Sequence, residues 1–295
     1  MSGNTNLAPT FLADLLEIHA SLEPQTTALL PKFLSDLAFV YSSLGASPAV
    51  DFKFLAARFE AWRQWAQKTM HLHLKDVSPD DPLLCPISLF RTMDYGRLET
   101  AHTRTLAWLL DPQAEHGFGE TLLASLLHRV TGLDAVFALN VELVASEFQI
   151  AGAEEAGRLD VLVEGAWEVD KIPVRWLLAI EAKVDAWESE TQLAKYEKWL
   201  NLRASEQNVL NVFRVFLTPN GRAAQGGNED WSALSFLDLV RTFHSTFARL
   251  RDAPGFHFLR FYLAGVLQDI CGWPRTAIGV STNPYLVLDY LKSVT

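Results

Sequence analysis

Two short apolar runs, Arg158-Leu159-Asp160-Val161-Leu162-Val163 and Trp176-Leu177-Leu178-Ala179-Ile180-Glu181, constrain this chain more than any other feature. Runs of this length rich in Val, Leu and Ile suit strands. Each nevertheless carries a carboxylate, and a carboxylate in or at the end of a buried strand is costly unless it is paired or bound to metal. Glu181 stands 21 residues after Asp160 and is followed by Ala182 and Lys183. Strand residues two apart point to the same face, so Glu181 and Lys183 project together. If the two strands pair as a hairpin, Asp160 joins them, and two hard oxygen ligands and one ammonium surround a single point.

That arrangement suits phosphodiester hydrolysis. Magnesium, and manganese in the same role, takes oxygen ligands and keeps waters, one of which can become the nucleophile. A lysine beside it can position or deprotonate that water, or stabilise the negative charge that develops.

The surrounding chain reads as helices, three strands, a helix, a strand, then helices. Phe11 to Leu22 and Ala28 to Leu44 have apolar residues at helical spacing, and a third helix opens at Ser47-Pro48 and runs towards Leu74. A proline-rich connector, Asp76 to Pro86, separates an N-terminal helical region (1–76) from the remainder (77–295). Helices are then expected over Arg97 to Leu110 and Gly119 to Val130, and strands over Val141 to Ile150, Arg158 to Val163 and Arg175 to Ile180. A helix from Glu188 to Leu202 and a strand from Val212 to Thr218 follow, closed by Pro219-Asn220-Gly221. Ser235 to Leu250, Phe256 to Cys271 and Tyr285 to Leu291 complete the chain as helices. The order fits a mixed sheet flanked by helices, an α/β architecture.

Two cysteines in 295 residues form neither a disulfide framework nor a zinc spacing, so a reducing cytoplasm is the default expectation. The sequence has no apolar stretch long enough to span a membrane. The net charge of −10 counts against broad nucleic-acid binding, but leaves room for a local basic groove.

Asp160 with Glu181-Ala182-Lys183 resembles the PD-(D/E)XK nuclease signature on a restriction-endonuclease-like fold. The stretch from Glu99 through His102 to Asp111-Pro112, then His116-Gly117, resembles the first core helix and loop of an uncharacterised bacterial branch of that superfamily. Gln192 to Tyr196 and Leu217 to Gly221 extend the similarity, which covers about Leu98 to Asn220. Leu159 stands where the signature has proline, and Ala182 where that branch commonly has asparagine.

The resemblance implies a metal-dependent nuclease acting on DNA. Asp160, Glu181 and the Ala182 carbonyl would hold magnesium or manganese, with Glu147 and His102 as further ligands, Glu99 in support and Lys183 serving the water. It also implies substrate contacts by Gln192, Tyr196 and Arg158, and defence against foreign DNA as the biology. The bland alternatives are a solvent-facing Glu147, helix-start hydrogen bonding for His102 and Glu99, packing for Tyr196, and either stacking on a base or packing for Trp187. An RNA-directed nuclease and a catalytically silent scaffold binding nucleic acid or a protein partner stay open, as does a symmetric homodimer.

Overall fold

The computed structural model describes residues 52–132, 139–150, 157–186, 191–225, 230–273 and 284–294. The first two expected helices and the start of the third lie outside these residues. By its contacts the chain divides into two compact units, Met1–Trp65 and Ala66–Thr295. The division falls inside helix α1 (Phe52–Leu74).

The second unit is built on a five-stranded sheet in the order β1-β2-β3-β4-β5. β1 (Leu139–Ile150), β2 (Gly157–Val169) and β3 (Ile172–Ala182) form an antiparallel meander, to which β4 (Asn211–Thr218) and β5 (Ser232–Ser235) add in parallel. Two differences from the sequence expectation stand out. β2 and β3 run six and three residues further than the apolar runs, because Asp170 and Lys171, at φ 50° and 67°, form a two-residue hairpin turn. Both central residues at positive φ is the turn whose twist matches paired strands, although Asp-Lys lacks its usual glycine. β5, only four residues long, carries too little pattern to be read as a strand.

Alternation on β3 sorts the two faces. Trp176, Leu178, Ile180 and Ala182 enter the larger core with α3 (Glu99–Leu110), α4 (Thr121–Thr131), α6 (Phe236–Phe247) and α7 (Phe256–Gly265). Leu177 and Ala179 pack on the opposite face beneath α5 (Gln192–Gln207), with Leu193, Tyr196 and Leu200. Trp176, Phe216, Phe236 and Phe243 are fully buried, and each such side chain contributes about 2–3 kcal/mol. The sheet is thus a rigid floor covered on both sides, as a partly parallel sheet requires.

Helix boundaries follow local chemistry. Ser235 caps α6 by accepting from the Asp238 amide at 2.9 Å. Gly132, at φ 69°, ends α4 in the left-handed conformation. A short helix, α2 (Leu89–Thr92), precedes α3, and α7 widens into a π-turn over Val266–Ile270 before α8 (Pro284–Val294) closes the described chain. No described helix is long and apolar enough to cross a membrane.

Candidate active site

The β2–β3 ladder stops at Val161 opposite Ile180, one step short of pairing Asp160 with Glu181. Beyond that point the main chains part, and the Ala182 amide donates to Asp160 Oδ2 at 2.9 Å instead of to a strand carbonyl. β3 stays anchored on its other side, where the Lys183 amide donates to the Leu217 carbonyl at 2.9 Å. A side-chain hydrogen bond therefore replaces a ladder bond at the place where the sheet opens, and the two acids face the gap.

Alternation also skips a step here. Leu159 and Phe148 pack with the α5-side cluster although Val161 and Val144 belong to the opposite core. The register makes Glu147 the residue opposite Asp160, between the pairs Ser146–Val161 and Phe148–Leu159, and Glu147 adopts φ 51°. A left-handed glutamate is uncommon and costs about 1 kcal/mol or more, and such outliers cluster at functional sites.

Asp160, Glu181 and Lys183 are all buried, at 5%, 1% and 7% exposure. Lys183 Nζ lies 2.5 Å from Glu181 Oε1, 3.1 Å from the Ala182 carbonyl and 3.3 Å from Glu99 Oε1. Glu99 sits in the first turn of α3, and its other oxygen accepts from the Val184 amide at 3.2 Å. The ammonium thus lies among the oxygens that would hold a cation. Glu181 Oε2 is buried and has no hydrogen-bond partner among the described residues.

Electrostatics reflect this crowding. Burial first, and then the neighbouring Asp160, push the Glu181 carboxyl up to about 8. Burial likewise raises Asp160 to about 6, against the Ala182 amide and Lys183, which favour its charged form. Burial works against the Lys183 charge, but Glu181, Asp160 and Glu99 together hold its pKa above the usual value. One ammonium cannot satisfy two buried carboxylates, so the pair keeps a proton to unusually high pH.

A relay on α5 fixes Glu181. Gln192 Nε2 donates to Glu181 Oε1 at 2.8 Å and to the Tyr196 hydroxyl at 3.0 Å, and Tyr196 donates to the Arg158 carbonyl at 2.7 Å. Gly157 makes room for the tyrosine, since a Cβ there would stand 3.1 Å from the ring. Gln192 and Tyr196 were expected to touch substrate. Tyr196 is 4% exposed, and both side chains are engaged with the acid, Gln192 directly and Tyr196 through it.

Two expected metal ligands have other partners in this fold. His102 is 1% exposed and nests against Phe90, Tyr262 and Phe236, with ring centroids 4.9, 5.9 and 5.9 Å away. Its Nε2 donates to the Gly96 carbonyl at 3.0 Å, and burial lowers its pKa, so it is a neutral core histidine. Glu147 gives its carboxylate to two arginines: Arg104 Nε at 2.8 Å and Arg158 Nη1 at 3.0 Å. Arg104 and Arg158 hold it below the usual carboxylate range. His116 is a loop hydrogen-bonder, accepting from the Phe118 amide at 2.9 Å and donating to the Trp108 carbonyl at 3.0 Å. Trp187 lies outside the described residues.

Sequence reasoning missed Arg97 and Asp185. Arg97 Nε donates to both Asp185 oxygens, at 3.1 and 2.9 Å, and its Nη1 reaches the Asp269 carbonyl at 2.7 Å. The link ties the segment leaving Lys183 to the π-turn after α7. Its partners lie 88 and 172 residues apart from Arg97 in sequence, and no local pattern signals such a pairing.

The set that remains, Asp160, Glu181 and the Ala182 carbonyl, offers only hard oxygens, and the orphaned Glu181 Oε2 is a buried acceptor in want of a cation. That fits magnesium or manganese better than a softer metal. Among the described residues no three His, Cys, Asp or Glu side chains are grouped to hold an ion, so water and main chain would complete its shell.

No curated protein and no solved structure matches the chain. The profile of the PD-(D/E)XK nuclease superfamily, however, matches residues 88–262, more than half of the 295-residue chain. The match spans α3 and the whole sheet, with both acids and the lysine inside it, and the chain belongs to the PD-(D/E)XK nuclease superfamily.

Proposed function

We propose that this chain is a metal-dependent nuclease that hydrolyses phosphodiester bonds in DNA, with defence against foreign DNA as its biological setting. The convergence of Asp160, Glu181 and Lys183 at the opening of the β2–β3 ladder carries the reading. In this reading, Asp160, Glu181 and the Ala182 carbonyl hold magnesium or manganese. When bound, that ion would offset phosphate charge and make a nearby water more acidic.

The chain's own residues supply the rest. Lys183, released from Glu181 Oε1, is placed to orient the attacking water and to stabilise the negative charge of the transition state. Glu99 keeps the ammonium near the site once Glu181 is engaged elsewhere. Gln192 and Tyr196 hold the Glu181 carboxylate in one orientation, so little reorganisation is needed during reaction.

The test is cleavage of plasmid and single-stranded DNA, with an RNA panel alongside, by wild type and Lys183→Met in magnesium or manganese. Metal-dependent cutting of DNA is expected from wild type and its loss from the variant. Thermal stabilisation by the metal should persist in Lys183→Met, because the lysine is not a ligand. Folded wild type that neither cuts nor binds metal would leave a silent scaffold, and cutting of RNA alone would reassign the substrate.

A further inference from the structure

A polyanionic substrate approaching a chain of net charge −10 needs local cations. Around this site most are already committed. Lys183 is buried on Glu181 and Glu99, and Arg97 is engaged by Asp185 and the Asp269 carbonyl. Arg104 and Arg158 differ. Their side chains are 64% and 50% exposed, yet both are gathered on a single carboxylate, Glu147, whose own side chain is 14% exposed.

Their positions bear on the site. Arg158 lies two residues before Asp160, close enough that its charge lowers the Asp160 pKa. Glu147 falls opposite Asp160 across β1–β2, between the pairs Ser146–Val161 and Phe148–Leu159. Arg104 projects from α3, the helix whose first turn supplies Glu99. One carboxylate between two guanidiniums leaves a net positive charge beside the acids. It also leaves several N–H groups without a partner among the described residues, since each guanidinium has five donors in a planar fork suited to phosphate. Fixing two long flexible cations in one place is a reason to keep the left-handed Glu147.

We propose that Arg104 and Arg158, held together by Glu147, form a phosphate grip for the DNA strand, seating a phosphate that neighbours the one cleaved. The proposal rests on the nuclease reading above. It makes Glu147 an organiser of substrate contacts rather than a ligand.

The experiment is fluorescence anisotropy of a labelled DNA duplex with calcium in place of magnesium, for wild type, Arg104→Ala and Arg104→Lys. Binding is followed between about 50 and 200 mM salt, where losing one phosphate contact lowers the slope of log K against log salt by about 0.9. Arg104→Ala should show that loss with about fivefold weaker binding, a single exposed ionic contact, and Arg104→Lys should keep the wild-type slope. An unchanged slope in Arg104→Ala overturns the grip, whether or not its melting temperature falls, and so does an Arg104→Lys that behaves like the alanine variant. Wild type that binds no DNA at any salt would sink the DNA-nuclease reading as well, and so is distinguishable from failure of the grip alone.

Discussion

Glu181→Gln should abolish metal binding and at the same time remove a pH-dependent weakness of the fold. The Glu181 carboxyl lies at about 8 in the folded chain, against an ordinary 4.5. Between those values the folded state holds a proton that the unfolded state has lost, so stability falls as pH rises through this window. Inside the window each step of one in pH costs a little over 1 kcal/mol, so the loss between about pH 5.5 and 7.5 is about 2–3 kcal/mol. Lys183 is charged throughout and adds no slope.

The glutamine keeps an oxygen for Lys183 and Gln192 but cannot ionise. The ammonium is not stranded, because Glu99 and the Ala182 carbonyl remain at 3.3 and 3.1 Å. Whatever constant offset the substitution introduces, the stability difference between the two proteins should change by about 2–3 kcal/mol across the window. That corresponds to about 5–10 °C of relative melting temperature for a unit of this size. Melting curves in chelator at a series of pH values measure it. Magnesium should then stabilise wild type and leave Glu181→Gln unmoved. Parallel pH profiles for the two proteins would refute the argument, because they would mean that Glu181 ionises in the fold as easily as in water.

Metal binding near pH 7 should release close to one proton, because the carboxyl pair holds one that a cation displaces; calorimetry in buffers of different ionisation enthalpy reads it directly. Release should shrink above pH 8, where Glu181 is already ionised. Gly157→Ala should push against the Tyr196 ring, 3.1 Å from the new Cβ, and loosen the relay through Gln192. The expected loss of stability is about 1 kcal/mol, with a fall in kcat and little change in KM, and a rise in KM alone would count against the relay.

The catalytic signature was legible because it is local. An acid that breaks an apolar run is visible without knowing what lies opposite, and Glu181, Ala182 and Lys183 are consecutive. The α3 residues were placed on the correct helix, but its faces were not resolved. Glu99 and His102 share a face by spacing, yet only Glu99, in the first turn, reaches past the sheet edge to Lys183, while His102 one turn on meets Phe90 and Tyr262. Phe90 lies on a separate short helix and Tyr262 on α7, so no pattern within α3 foretold the aromatic nest. The two-arginine pairing of Glu147 was not legible for a related reason. Period-two reasoning assumes an unbroken strand, and its positive φ breaks the alternation. The length of the β2–β3 hairpin was hidden by a turn built from Asp170 and Lys171 rather than by a glycine pair.

The sheet's mixed topology explains why the site sits where it does. β3 is held on one side by an antiparallel neighbour and on the other by a parallel one, and the two ladders end at different points. The antiparallel pairing stops at Ile180, while the parallel one continues to Ala182 with Leu217 and is extended by the Lys183 amide. Between those limits Glu181 and Ala182 are fixed by β4 yet released from β2. Backbone rigidity on one flank and an opening on the other are what a charged site needs. The carboxylates cannot drift apart to relieve their repulsion, so the repulsion appears as raised proton affinity. A divalent cation relieves it more completely than either the proton or the single ammonium of Lys183. On the proposed reading, stability given up in the unliganded fold would become affinity for the ion, and releasing Lys183 from Glu181 would free it for the water.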